Sequence, residues 1–161
     1  MDIPFKWAEK EPYEIKAELS VDASCLVEEG ATFSMQPHIN AILTHTKDHY
    51  EINGQLDATV MVPCSRCLEL YPLEISRALH LVLLPRPQNP AAVEIGLGDE
   101  DMDTSFYSEQ KVVLEDVVGE QINLALPMRP ICKPDCKGLC LNCGTDLNRH
   151  SCTCPRQGSD S

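Results

Sequence analysis

Apolar and polar side chains alternate along most of the first 84 residues, with the two-residue period of half-buried strands. From Tyr13 to Val21 the positions Tyr13, Ile15, Ala17, Leu19 and Val21 are apolar, and the residues between them are polar. The alternation returns at Phe33, Met35, Ile39, Ala41 and Leu43, where Pro37 predicts an edge or a bulge. Lys47-Asp48 turns the chain into a third strand through Tyr50, Ile52, Leu56, Ala58, Val60 and Val62, with Gly54 a predicted bend. A fourth follows through Tyr71, Leu73, Ile75, Leu79, Leu81 and Leu83, so Cys64 to Cys67 sit at the tip of a hairpin. Between Leu114 and Leu126 the period lengthens. Leu114, Val117, Val118, Ile122, Ala125 and Leu126 share one stripe, which predicts an amphipathic helix across the sheet, ended by Pro127 and Pro130.

This pattern predicts an α+β fold: a mostly antiparallel β-meander, as a sheet or a partly open barrel, with one main helix near 114–126. The segment from Pro85 to Asp103 is rich in proline and ends in the acidic run Asp99-Glu100-Asp101-Met102-Asp103, which reads as a solvated loop. With 161 residues the chain suits one domain of ordinary size with an appended module. The expected organisation is a β-rich body over residues 1–128 and a cysteine-rich, zinc-binding tail over 129–161, packed on the body. No internal repeat is visible.

Cysteine usage decides the chemistry. Six of the nine cysteines lie in the tail, at Cys132, Cys136, Cys140, Cys143, Cys152 and Cys154, and a further pair is Cys64 and Cys67. No charged segment leads into an apolar run at the start and no window is long and apolar enough for a membrane span, so the expected compartment is the cytoplasm. Thiols stay reduced there, and clustered cysteines then point to metal before disulfides. Cys140-Leu-Asn-Cys143-Gly144 has the form of a zinc knuckle, in which two intervening residues let one metal take both sulfurs and the glycine relieves backbone crowding. Eight thiolates make two closed shells, for two structural zinc ions, with Cys25 spare. The preferred partition is Cys140, Cys143, Cys152 and Cys154 in one shell, because they close a short loop, and Cys64, Cys67, Cys132 and Cys136 in the other. A single site from Cys132, Cys136, Cys140 and Cys143 is the alternative. His150 lies among the ligands but reads as solvated.

Charge bounds the partners. Residues 1–128 carry 8 Lys and Arg against 22 Asp and Glu, whereas residues 129–156 carry 5 against 2. Such a body repels bare nucleic acid, whose phosphates supply most binding affinity, and suits basic proteins or RNA already coated by them. Arg129, Lys133, Lys137 and Arg149 are the candidate partner-binding positions in the tail, where Arg156 adds positive charge. Rival readings are weaker. His49-Tyr-Glu51 and Pro63-Cys-Ser-Arg-Cys67 match in letters the zinc nucleobase deaminase signature, but strict alternation places the His and Glu in a strand. A thiol-based redox or metal-sensing role for Cys64 and Cys67 would want the first cysteine at a helix N-terminus, and a strand follows it instead. No phosphate-binding loop, dinucleotide fingerprint or catalytic triad arrangement is present, so the sequence predicts no enzyme, no small-molecule substrate and no membrane partner.

At Cys64-Ser-Arg-Cys67-Leu-Glu69, Leu124-Ala-Leu-Pro127 and Cys136-Lys-Gly-Leu-Cys140-Leu-Asn-Cys143-Gly-Thr-Asp-Leu147-Asn148 the chain resembles the YceD family of large ribosomal RNA subunit accumulation proteins. The resemblance implies a non-enzymatic role in accumulation or assembly of the large ribosomal subunit. Two positions depart from the family's pattern. Val113 stands where an Asp caps the helix, and Leu141 stands where the knuckle carries Pro; neither removes a metal ligand.

Overall fold

The alternating stretches fold as strands because only a period of two can place Ile15, Ile39, Ile52 and Leu81 on one face of a pleated ladder. A computed structural model of the chain describes residues 1–86, 103–107 and 109–154. In chain order the strands and helix are β1 (Asp2–Pro4), β2 (Tyr13–Glu18), β3 (Thr32–Thr46), β4 (His49–Pro63), β5 (Leu70–Pro85), β6 (Asp103–Tyr107), β7 (Lys111–Val113) and α1 (Leu114–Ala125). The main sheet has the order β2-β3-β4-β5-β6. Strands β2 to β5 form an antiparallel meander, and β6 is added in parallel beside β5. Among the described residues β2 and β6 are open edges, so the body is a sheet and not a closed barrel.

Where the chain departs from simple alternation, the reason is local. Tyr13–Val21 was expected as one strand, yet β2 ends at Glu18. Its partner β3 is irregular between Phe33 and His38, around the predicted Pro37, and the ladder cannot continue past that bulge. Leu19 donates instead to the Pro37 carbonyl at 2.8 Å, and the Val21 amide to the Gln36 side chain at 3.0 Å. Both side chains stay buried. Lys47-Asp48 forms the expected tight turn, with Lys47 at φ 29°. Gly54 is not the bend that was expected, because the register runs through it unbroken to Ala41 on one side and Leu79 on the other. The glycine is needed for close approach: a Cβ there would overlap the Asn40 carbonyl and the Ala41 backbone. Gly54→Ala should therefore lower stability by about 3 kcal/mol, as overpacking against backbone does. Denaturant unfolding of the variant checks this, and a loss below about 1 kcal/mol would contradict the close approach.

Helix α1 lies with the core face of the sheet. Leu114, Val117, Val118 and Ile122 share one buried cluster with Phe5, Ile15, Leu43, Ile52 and Leu56. Its first residue follows Val113, which offers no side-chain cap; the Leu114 amide donates to the Met1 carbonyl at 3.1 Å instead. Leu126 turns to extended backbone before Pro127, because proline disfavours helix at the preceding residue. Three strands had no alternation to announce them. Strand β1 pairs with β7, and β6 with β5. Phe5, just after β1, is fully buried and stacks on Tyr50 with ring centroids 4.2 Å apart, while Tyr107 of β6 meets it edge-on at 4.6 Å. Most of the loop expected from Pro85 to Asp103 falls on residues 87–102, outside the described residues, while at its ends Pro85 closes β5 and Asp103 opens β6. No described helix is long and apolar enough to cross a membrane.

Candidate metal centres

Two Cys-x-x-Cys turns are built on one hydrogen-bond plan. At the tip between β4 and β5, Leu68 N donates to Cys64 O at 2.9 Å, and Cys64 N to Glu69 O at 2.9 Å. In the tail, Gly144 N donates to Cys140 O at 2.8 Å, and Cys140 N to Thr145 O at 2.8 Å. The residue after the second cysteine is left-handed in both, Gly144 at φ 72° and Leu68 at φ 61°. Glycine adopts this conformation freely, whereas a leucine held there costs on the order of 1 kcal/mol. The hairpin tip retains it because the same turn aims both thiols inward.

The tail then returns to this tip. Ser65 N donates to Pro130 O at 2.8 Å, Leu139 N to Arg66 O at 3.1 Å, and the Arg66 guanidinium to Cys136 O at 2.9 Å. Gly138, at φ 72°, passes so close that a Cβ would sit 3.0 Å from Arg66 O. As a result the sulfurs of Cys64, Cys67, Cys132 and Cys136 all lie within 4.8 Å of one another, and those of Cys140, Cys143, Cys152 and Cys154 do likewise. Cys64 Sγ is 3.8 Å from Cys136 Sγ, and Cys67 Sγ is 3.7 Å from Cys132 Sγ. A tetrahedron with metal–sulfur bonds of about 2.3 Å has an edge of about 3.8 Å. A disulfide would need about 2.05 Å. The first tetrad thus has the dimensions of a four-sulfur metal shell. The second is tighter across one edge, 3.3 Å between Cys152 and Cys140. Both tetrads could hold a metal ion.

The electrostatics fit a cation. Burial opposes charge on Cys64, but the amides of Cys132, Cys67 and Arg66 aimed at its sulfur bring the thiol down to about 6. The Thr145 hydroxyl and amide, with Cys140 and Cys154 nearby, bring Cys143 down to about 6. Cys132, by contrast, is pushed up to about 12 by burial and by the neighbouring Cys64, Cys136 and Cys67 sulfurs. Cys154 is pushed up to about 12 by Cys143 and by burial. Four sulfurs this close cannot all lose their protons without a positive charge between them. Asn148 adds a neutral donor: its amide approaches Cys136 Sγ at 3.5 Å, its Oδ1 accepts from Lys137 N at 2.9 Å, and Asp146 accepts from it at 2.8 Å. Such outer partners orient ligands and spread their charge.

The tetrads differ in exposure: Cys64, Cys67 and Cys136 are buried, whereas Cys143 is exposed. Cys25 belongs to neither; it sits in a short turn against α1. His150 is exposed and outside both groups. His49 Nε2 and Glu51 Oε1 share a hydrogen bond of 2.8 Å near the start of β4, roughly 43 to 50 Å from Cys64 by the rise of an extended strand, so they cannot share its metal. Of the basic positions, Arg129, Lys133 and Lys137 are exposed. Arg149 instead reaches Glu69 at the hairpin tip and Asp146, at 3.7 Å, tying the second knuckle to the first. Sequence reasoning missed the work of Arg66, Asn148 and Glu69, since no spacing rule announces contacts made by an ordinary polar side chain across the fold.

The family model described as "Large ribosomal RNA subunit accumulation protein YceD" matches residues 52–161, which include all eight clustered cysteines. A maize chloroplastic protein named "Large ribosomal RNA subunit accumulation protein YCED homolog 1" is 24% identical over 86% of this chain and 55% of its own length. Its Arabidopsis thaliana counterpart is 26% identical over 71% of this chain and 42% of its own length. An uncharacterised protein of Mycobacterium tuberculosis is 26% identical over 81% of this chain and 61% of its own. The chain thus spans about half the length of the curated relatives it matches. No solved structure matches it.

Proposed function

Because this chain belongs to the YceD family, we propose that it is a non-enzymatic ribosome-biogenesis factor that supports accumulation and assembly of large-subunit ribosomal RNA, with two structural zinc ions. Membership of a family described by that role is the observation that carries the proposal. The donor sets support its non-catalytic part: a four-sulfur shell leaves no position for water or substrate, whereas catalytic zinc keeps one open and mixes in nitrogen or oxygen ligands. In this reading residues 1–128 are a platform and residues 129–161 a zinc-binding tail packed on it, working in the cytoplasm. The partner is a basic ribosomal protein or RNA already coated by such proteins, met in part by Arg129, Lys133, Lys137 and Arg149. A formal charge of -12 supports that choice over bare RNA.

Depletion of the protein in growing cells tests the role. The ratio of large- to small-subunit ribosomal RNA should fall by about half and recover when the intact chain is supplied; an unchanged ratio overturns the role. In vitro, association with a basic large-subunit protein should weaken as salt rises through the range where the screening length shortens to about 10 Å and below. Tight binding to protein-free RNA, with no affinity for basic large-subunit proteins, would instead make the tail an RNA reader.

A further inference from the structure

Helix α1 and the segment from Ser20 to Val27 enclose a groove of about 850 Å³ whose composition is one-sided. Its floor is Gly119, which has no side chain, with the Cys25 sulfur only 3.4 Å from where a Cβ would stand. Val27 and Leu124 line it with 76% and 58% of their surface open to solvent, beside buried Val21. Asp22, Glu115, Asp116 and Glu120 also line it, and no lysine, arginine or histidine among the described residues does. The charge available to a partner is smaller than that count. Glu115 is taken up by the Met1 amine and Asp22 accepts from the Ser24 amide at 2.8 Å, which leaves Asp116 and Glu120 exposed along the rim.

The far wall is held in place by one side chain. Asn123 accepts from Val27 N at 2.9 Å and donates to Cys25 O at 2.7 Å, clamping the segment to the helix. A wall fixed in advance spares a partner the entropy of ordering it. An apolar trough with exposed aliphatic walls and an anionic rim is complementary to a chain that alternates aliphatic and cationic faces, as an amphipathic helix laid in a groove does. Phosphate is repelled by the same rim. We propose that the groove between α1 and residues 20–27 is the docking site for a cationic, amphipathic segment of a protein partner. This rests on the reading of a basic ribosomal protein as partner, and adds a contact on the body to those of the tail.

The test uses the full metal-loaded chain and a fluorescein-labelled amphipathic Lys/Leu peptide, with a Glu/Leu peptide and a single-stranded RNA as comparison probes. Fluorescence anisotropy should show binding of the Lys/Leu peptide alone. Asp116→Lys with Glu120→Lys should weaken it at least tenfold. Val27→Ser with Leu124→Ser, which leaves the charge unchanged, should weaken it at least threefold. Glu11→Lys with Glu74→Lys, the same charge change at exposed positions outside the groove, should alter it less than twofold. All substituted residues are exposed, and unchanged thermal midpoints confirm that each variant folds. Equal losses in the groove and control pairs mean diffuse attraction, and preference for the RNA probe means a different ligand; either overturns the proposal. Groove variants that still capture basic large-subunit proteins at wild-type affinity also sink it, while leaving the ribosomal role intact. The ribosomal role fails separately, if depletion of the wild-type protein leaves large-subunit RNA unchanged while the peptide still binds the groove.

Discussion

Removing the two zinc ions proposed for the cysteine tetrads should unfold residues 132–154 and leave the five-stranded sheet standing. The two regions draw their order from different sources. The body buries a continuous cluster that runs from Ile3 to Ile122, whereas the tail has one isolated bridge, Leu139 to Asp146, and no helix or strand among its described residues. Its small core consists of Cys64, Cys67 and Cys136, with Tyr71, Cys132 and Leu139 packed against them. Other ties to the body among the described residues are the hydrogen bonds at Ser65 and Arg66, that from Cys132 N to the Cys64 sulfur, and the exposed pair Arg149 to Glu69. Hydrogen bonds of this kind contribute about 1 kcal/mol each and exposed ion pairs less. A structural zinc ion contributes on the order of 10–16 kcal/mol of apparent binding free energy at neutral pH. Loss of the ions therefore outweighs every other tie. Limited proteolysis and hydrogen exchange, with and without a strong chelator, should show new cleavage and lost protection from Cys132 onward only. Protection unchanged in the tail would mean that the cysteines do not hold it.

Cys64→Ser should have the second largest effect and should act at a distance. Cys64 is fully buried, accepts from Cys132 N at 3.4 Å and faces Cys136 across 72 positions of sequence. A serine oxygen there is a poorer ligand on a shorter bond, and three sulfurs hold zinc weakly compared with four. The variant should lose about one of two metal equivalents, and residues 132–136 should become exposed to protease while the second knuckle keeps its ion. Cys143→Ser should also lose one equivalent, but with the seam between hairpin and tail preserved, because Cys143 belongs to the tetrad made wholly within the tail. Elemental analysis beside a thiol titration reads both outcomes. Loss of both ions or of neither from Cys64→Ser would refute the pairing of Cys64 and Cys67 with Cys132 and Cys136.

The elements that were legible in advance are those whose cause is local. Alternation at Ile39, Ala41 and Leu43, or at Ile52, Leu56, Ala58, Val60 and Val62, can only be buried on one face as a strand, and these residues are buried. The stripe from Leu114 to Ile122 likewise requires a helix. Strand β6 was hidden because its parallel pairing with β5 depends on where the intervening chain returns, which no periodicity encodes. Strands β1 and β7 are three residues each, too short to show a period at all. Gly54 misled because a glycine in a strand signals either a bend or a close approach, and only the position of Ala41 on the neighbouring strand distinguishes them.

By itself, then, the sequence determined the parts whose geometry is written within a few residues: the meander, the helix and its proline stop, and the two knuckles, since a Cys-x-x-Cys turn closes through its own backbone. Tertiary structure alone decided how these parts meet. The hairpin tip at Cys64 and the tail at Cys136 converge because Ser65, Arg66 and Gly138 fit backbone to backbone, and Arg149 pairs with Glu69 at the surface. Local dihedral preferences act over one turn of chain, whereas the meeting of groups 60 or more residues apart is set by the packing free energy of the whole fold, and so appears only when the chain is folded.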